Sequence, residues 1–355
     1  MENPKVSVCL PTYNRARLVF KTIKSILAQT YMDFELIIGD DASTDDTRDV
    51  VKKFQDRRII YYKNKTNFGL WSNCNKLLDL AKGEYVIFPG DDDILMENLL
   101  KEEVRILDKF HNIGFVAPHV HNIDLNENII YTSKSNFDQT KDYYTVPGQQ
   151  FLNFFLRGKA IFNKYHITWT WPSVMMRKDL ILKCGKFNLD LDTTRGDSWL
   201  LYRFSLLSDF AQIPKPLFKF RYYNYSINKG RYSMPLRKLS GVKGIAFDES
   251  IWLLEETLEF AKKYNIKLCG NFEKEAFHFF AKSAVSFNGS IAWIGAGFEG
   301  NYTKKVTKIL AIFIRCVKLN PLILLHPKTY LIVFGSILLP KPVIMNVASF
   351  YLKIQ

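Results

Sequence analysis

The sequence predicts an α/β protein: a doubly wound, mostly parallel sheet flanked by helices, with a basic helical extension at its C-terminus. Three observations predict it. Strand and helix patterns alternate through the first hundred residues, as they do in βαβ units with right-handed crossovers. The strand segments, such as Val6–Leu10 and Phe34–Ile38, are almost wholly apolar, as parallel strands covered on both faces are. Two acidic clusters, Asp40/Asp41 and Asp91–Asp93, each fall just after a strand, which right-handed winding puts at one edge of the sheet.

The elements follow in order. Lys5–Leu10 is a buried strand closed by Pro11. Asn14 suits the N-cap of a helix running to about Gln29, with Val19, Ile23, Ile26 and Leu27 on one face. Phe34–Ile38 is the next strand. Ser43 and Asp46 stand at capping-box spacing ahead of a helix that turns Val50, Val51 and Phe54 inward. Arg58–Tyr62 is a third strand and Lys65–Gly69 a turn. A helix spans Leu70–Lys82, with Gly83 as its C′ residue. Tyr85–Phe88 is a short buried strand that Pro89 and Gly90 stop. Asp91, Asp92 and Asp93 come next. Three adjacent carboxylates repel one another, and an oxygen-seeking divalent cation gives a reason to group them; a solvated turn is the plainer account. Met96 stands where an EF-hand loop needs glycine.

Periodicity weakens from His111 to about Tyr165. His119 and His121 share one face of a strand, and hydrogen-bonded structure is favoured for them over a metal pair. Residues 133–149 suit a flexible loop near an acceptor. Ile167–Arg177 reads as a strand on which Trp169 and Trp171 face one side, either as a sugar-stacking floor or as packing. Asp197 starts a helix with Leu200, Leu201, Phe204 and Leu207 inward. Residues 240–285 are amphipathic and helical in pattern, and Gly295–Gly300 matches G-x-G-x-x-G without the acidic residue or βαβ unit that a dinucleotide site needs.

Composition narrows the classes. At 47% hydrophobic and 24% charged the chain of 355 residues is globular, and its net charge of +14 favours an anionic partner. Five scattered cysteines without a Cys-x-x-Cys pair argue for reduced thiols and against a zinc ribbon. From Lys304 onward the chain is basic and apolar with no Asp or Glu. No run there reaches the ~18 to 20 apolar residues of a membrane span. Helices lying in a membrane surface fit, as does a helical hairpin packed on the catalytic domain or on a second copy of the chain. Nucleic acid is disfavoured as partner, because much of the excess charge lies in the C-terminal third.

The motifs Val6-Ser-Val-Cys-Leu-Pro-Thr-Tyr-Asn14, Ser25–Thr30, Phe34–Asp45, Asn67-Phe-Gly69, Gly83-Glu-Tyr85 and Asp91–Asp93 resemble, in order and spacing, those of the inverting GT-A glycosyltransferases of family 2. The resemblance covers residues 5 to 225. It implies a nucleotide-sugar-binding half (1–110), an acceptor-binding half (111–225) and a C-terminal region (226–355) associated with the membrane surface. It implies a UDP- or dTDP-sugar donor, a saccharide acceptor carried on a polyprenyl lipid, Mn²⁺ or Mg²⁺, and a place at the inner face of a bacterial plasma membrane. Pro11, Thr12, Tyr13, Asn14, Lys65 and Asn67 match the nucleotide pocket, Asp41 the base-binding residue, Asp91 the residue near the ribose, and Asp92 and Asp93 the metal-binding positions. Gly90 stands where many relatives have the first Asp. Asp197 matches the general base that takes the acceptor's proton. Arg195 and Arg203 flank it as partners for the diphosphate or for Asp197 itself, and Trp169 and Trp171 border the acceptor pocket. The relatives' histidine beyond the closing strand is replaced by Tyr222, Tyr223 and Asn224. A sugar-phosphate nucleotidyltransferase is the alternative enzyme class, but Pro11–Asn14 is not the Gly-rich phosphate loop it needs. A nucleotide-binding scaffold on the membrane surface is the non-catalytic alternative.

Overall fold

Val6–Thr12 (β1) is buried at every position and lies at the middle of the sheet. In this computed structural model the described residues are 3–133, 140–157, 170–189, 196–222 and 257–268. The chain divides into two units, Met1–Tyr223 and Asn224–Gln355. In the first, β1 leads to helix α1 (Ala16–Leu27), strand β2 (Phe34–Asp40), helix α2 (Thr47–Lys52), strand β3 (Ile59–Lys63), helix α3 (Leu70–Leu80) and strand β4 (Tyr85–Ile87). Strand β5 (Ile94–Leu95), helix α4 (Leu99–Lys109) and strands β6 (Ile113–Ile123), β7 (Ile129–Thr132) and β8 (Tyr144–Val146) follow. Helix α5 (Gly148–Arg157), a 3₁₀ turn (Trp171–Ser173), strand β9 (Met175–Arg177), helices α6 (Lys178–Cys184) and α7 (Gly196–Leu207) and strand β10 (Asp209–Arg221) complete it.

The ten strands form one sheet in the order β3-β2-β1-β4-β9-β6-β10-β5, with β7 beside β6 and β8 beside β10. The long pairings, β1 with β2 and β6 with β10, are parallel, and the antiparallel ones are short. The core runs along both faces of β1 and β2. Val19, Ile23 and Ile26 of α1 cover one face, with Leu27 partly buried beside them. Val51 of α2 joins the same cluster, with Val50 and Phe54 packed at its margin. Leu77 and Leu78 of α3 are also fully buried.

Several local expectations change. β1 does not stop at Pro11: Pro11 pairs in register with Gly39 of β2, and β4 on the other side pairs only with Val6–Val8, so the missing N–H falls past its end. Gly83 is not a left-handed cap. It allows a close approach: a Cβ there would sit 2.5 Å from the Ser7 amide nitrogen, and its own N–H donates to Ser7 Oγ at 2.8 Å. Within the expected loop at 133–149, residues 144–146 are a strand and Gly148 opens a helix, while 134–139 lie outside the described residues. Of the expected strand over 167–177, residues 167–169 lie outside the described residues, and among the rest the strand is Met175–Arg177, preceded by the 3₁₀ turn. His119 and His121 do lie on a strand. His121 Nδ1 is 2.7 Å from Thr132 Oγ1, the hydrogen-bonded role favoured from the sequence. Cys9, Cys74 and Cys184 are free and buried.

In the second unit residues 257–263 are helical, and the Phe260 and Tyr264 rings lie 4.6 Å apart. The remainder of the 240–285 pattern, Gly295–Gly300 and the basic segments from Lys304 lie outside the described residues. Among the described residues no helix is long and apolar enough to cross a membrane.

Candidate active site at the carboxyl ends of the strands

The loops after β1 and β2 are laced together. Asn14 adopts a left-handed backbone (φ 55°), which Asn tolerates better than most residues. Its amide donates to Ser43 Oγ at 2.9 Å, and its Oδ1 accepts the Thr44 amide at 2.8 Å. Asn14 is therefore not the cap of α1. Arg15 holds that position, and the first-turn amide of Ala16 is satisfied from the neighbouring loop by Asp45 Oδ2 at 3.0 Å. Burial works against an ionised Asp45, but hydrogen bonds from Thr47 and Ala16 outweigh it and hold the carboxyl below its usual range. The Ser43–Asp46 capping box does not form: Asp46 makes no side-chain cap, and Ser43 faces Asn14 instead.

Asp40 and Asp41 have different jobs. Asp40 is fully buried; its Oδ1 accepts the Ser43 amide at 2.7 Å, and its Oδ2 accepts the Tyr61 hydroxyl. Asp41 gathers the turn ahead of α3. Its Oδ1 accepts Asn64 Nδ2 at 2.8 Å and the Phe68 amide at 3.0 Å, and its Oδ2 accepts the Gly69 amide at 2.8 Å. Gly69 is at φ 87°, a conformation that glycine adopts without strain. Asp41 Oδ2 keeps acceptor capacity, since a carboxylate has about four lone-pair sites. Asn67 Oδ1 accepts the same Gly69 amide at 2.9 Å, and Lys65 and Asn67 are exposed on this turn. Tyr13 leaves β1 with its ring 45% exposed, open to stacking on a flat ligand.

The aspartate triplet divides. Asp91 Oδ2 accepts Thr12 Oγ1 at 2.8 Å, which ties the end of β4 to the end of β1. Arg15 reaches both of the first two carboxylates, with Nε 3.8 Å from Asp91 and Nη1 4.0 Å from Asp92. These side chains stay 14% and 15% exposed. Burial, then the neighbouring Asp92 charge, pushes the Asp91 carboxyl up to about 7, with Arg15 and Thr12 opposing. Asp93 turns the other way and is 1% exposed. Its Oδ1 accepts the Arg221 amide at 3.0 Å and its Oδ2 the Gly90 amide at 3.1 Å. Burial, with the Asp92 charge, pushes its carboxyl well up.

Asp91 and Asp92 fit a divalent cation: two adjacent hard oxygen donors, partly open, whose mutual repulsion a cation relieves. Among the described residues no cluster of three or more His, Cys, Asp or Glu has metal-binding geometry. A two-carboxylate site leaves the remaining positions to ligand oxygens and water. Asp93, 1% exposed, turns its oxygens onto the Arg221 and Gly90 amides, so it supports the loop from behind.

Asp197 lies in the first turn of α7 and is partly exposed. Arg195 and Trp169 lie outside the described residues. Arg203 stacks its guanidinium 3.9 Å from the Trp199 ring and donates to the Cys184 carbonyl at 2.8 Å, packing α7 on the end of α6. Trp171 is 9% exposed among Trp71, Phe88 and Phe187, with centroids 5.3 to 6.4 Å away. Of the two roles open for Trp171, packing is the one its burial displays. Arg15, Asp45 and Arg221 were not singled out from the sequence as site residues. The last two act through partners far along the chain; the signals in the sequence are the position of Arg15 beside Pro11–Asn14 and that of Arg221 after an aromatic at the end of the closing strand.

The acidic loops after β2 and β4, tied to the loop after β1, place a ligand site at one edge of a doubly wound sheet, the architecture of the GT-A fold. The glycosyl transferase family 2 model matches residues 7–181. An uncharacterized glycosyltransferase of Methanocaldococcus jannaschii is 30% identical over 220 residues, covering 59% of this chain and 70% of that protein. The chain belongs to glycosyltransferase family 2. Two lipid-linked glycan enzymes are also similar over shorter spans. The GalNAc(5)-diNAcBac-PP-undecaprenol beta-1,3-glucosyltransferase of Campylobacter jejuni is 47% identical over 100 residues, 27% of this chain and 32% of that one. An Escherichia coli UDP-Glc:alpha-D-GlcNAc-diphosphoundecaprenol beta-1,3-glucosyltransferase is 37% identical over 103 residues, 29% of this chain and 41% of that one. The crystal structure of S. aureus TarS 1-349 in complex with UDP aligns with a TM-score of 0.55 at 16% identity, over 99% of this chain and 92% of that one, a likeness of fold.

Proposed function

We propose that the protein transfers a sugar from a UDP- or dTDP-sugar to a hydroxyl of a growing, polyprenyl-linked bacterial glycan, with inversion at the anomeric carbon and with Mn²⁺ or Mg²⁺. The observation that carries the proposal is the Asp91/Asp92 pair, bonded to Thr12 and facing Arg15, beside the Asp41-organised turn. The names of the Campylobacter and Escherichia relatives support a lipid-linked acceptor.

Each residue then has a task. Asp41, through its spare acceptor capacity, takes a donor from the nucleobase, and the exposed Tyr13 ring supplies a stacking face. Asp91 binds the ribose and, with Asp92, would hold the cation. The cation supplies Lewis-acid stabilisation of the departing diphosphate. Arg15 offers a second positive charge to the same phosphates. Asp197 accepts the proton of the attacking hydroxyl from the face opposite the leaving group, as inversion demands.

Asp197→Asn is expected to lower kcat by about 10²- to 10⁴-fold while leaving UDP affinity intact. Wild-type turnover in that variant would remove Asp197 as the base. A thermal-shift screen of nucleotide sugars with and without Mn²⁺ identifies the donor. Stabilisation that is indifferent to metal would remove the cation from the scheme.

A further inference from the structure

Arg221, the last residue of β10, is 2% exposed. Arginines are seldom fully buried unless their donors are matched. Here they are. Nε donates to the Asp92 carbonyl at 2.8 Å, and Nη1 donates to the Asp124 carbonyl at 2.8 Å and the Leu125 carbonyl at 3.3 Å. Nη2 lies 3.8 Å from Glu127, and the backbone amide donates to Asp93 Oδ1. One side chain thus spans two segments: the aspartate loop, and the turn between β6 and β7.

That turn is built to present its carbonyls. Asp124 Oδ1 accepts the amides of Asn126 and Asn128 at 2.8 and 2.9 Å, and Glu127 sits at φ 70°. Glu127 also pairs with Lys21 of α1, while Thr22 of the same helix donates to the Asp93 carbonyl at 2.7 Å. The aspartate loop is therefore gripped from β10 and from α1. A planar guanidinium directs its donors along fixed diverging lines, and an ammonium cannot reach the same carbonyls together.

We infer that Arg221 is a positioning residue for donor binding: it holds the backbone at Asp92, so that the Asp92 carboxylate stands beside Asp91 and opposite Arg15. The inference rests on the donor site proposed above. Binding groups held from behind in this way typically lose about 10- to 100-fold in affinity when the holder is removed.

The test is UDP affinity by titration calorimetry, with and without Mn²⁺, on the full chain, together with thermal melting. Arg221→Lys is expected to weaken UDP–Mn²⁺ binding at least about tenfold. Asp124→Ala, on the exposed turn, is expected to weaken it in the same direction by a smaller factor. Val51→Ala, in α2, is expected to lower the melting temperature and leave UDP affinity unchanged. Wild-type affinity in both Arg221→Lys and Asp124→Ala, whatever their melting temperatures, overturns the inference. If Arg221→Lys does not fold, Asp124→Ala decides. If the wild-type protein binds UDP equally with and without Mn²⁺, the metal assignment fails by itself, and Arg221 is judged on metal-free UDP affinity by the same tenfold criterion.

Discussion

Asp41 shows how one side chain joins folding to binding. Its carboxylate is the shared acceptor for Asn64, Phe68 and Gly69, so it builds the turn on which α3 begins. Asp41→Ala removes this shared acceptor: the Gly69 amide keeps Asn67 Oδ1 and Asn64 Nδ2 keeps Asn73 Oδ1, while the Phe68 amide loses its bond. Each buried donor left without a partner costs about 1–3 kcal/mol. Asp41→Ala should therefore lower the melting temperature and also weaken UDP binding, because the nucleobase position and the turn depend on the same oxygens. Thermal melting and a UDP titration check both. Loss of stability with undiminished UDP affinity would leave Asp41 a purely architectural residue. Asp93 is the contrasting case. Its identity as an aspartate matters for two backbone amides, from Arg221 and Gly90.

At the scale of elements, β6 is the informative strand. It is buried along nearly its whole length and pairs with β7, β9 and β10. Burial pushes His119 down from 6.5 to about 4. Between those values the unfolded chain binds the proton more readily than the folded one, so stability present above pH 6.5 is lost as pH falls toward 4. At about 1.4 kcal/mol for each pH unit, the upper bound is about 3.5 kcal/mol. His119→Gln should flatten the decline in melting temperature between pH 7 and about 4.5, whatever its absolute stability. Parallel profiles for variant and wild type would contradict this. β6 also marks where the sequence is hardest to read. Covered on both faces, it lacks alternation, and Gly114 and Pro118 look like breaks. By contrast β1, β2 and α1 announce themselves, because their apolar runs and helical spacing are local signals. The acidic clusters were legible for the same reason: type and position after a strand suffice. What was not legible depends on distant partners. Asn14 reads as a helix cap until Thr44 claims its side chain, 30 residues on. The inward turn of Asp93 depends on Arg221, 128 residues away.

For the whole molecule, charge makes the sharpest prediction. The net charge is +14, and after Glu299 no acidic residue offsets the lysines and arginines. A basic, apolar region of this kind gains about 1 kcal/mol for each cation near an anionic leaflet. The full chain should co-sediment with vesicles containing phosphatidylserine at low ionic strength and release as salt is raised, since the Debye length shrinks to roughly 3 Å at 1 M. Equal binding to neutral vesicles, or binding indifferent to salt, would assign the region to protein packing instead.

The burial of Arg221 has a practical corollary for dissecting the chain. The first unit ends at Tyr223, only two positions after this arginine. Trimming the protein inside the last stretch of β10, a few residues before Arg221, would amputate the brace of the aspartate loop while sparing most of the hydrophobic core. Such a fragment would be well folded yet poor at holding nucleotide, and its weakness would be misread as a need for the missing C-terminal third. A boundary at or beyond 223 separates the two explanations.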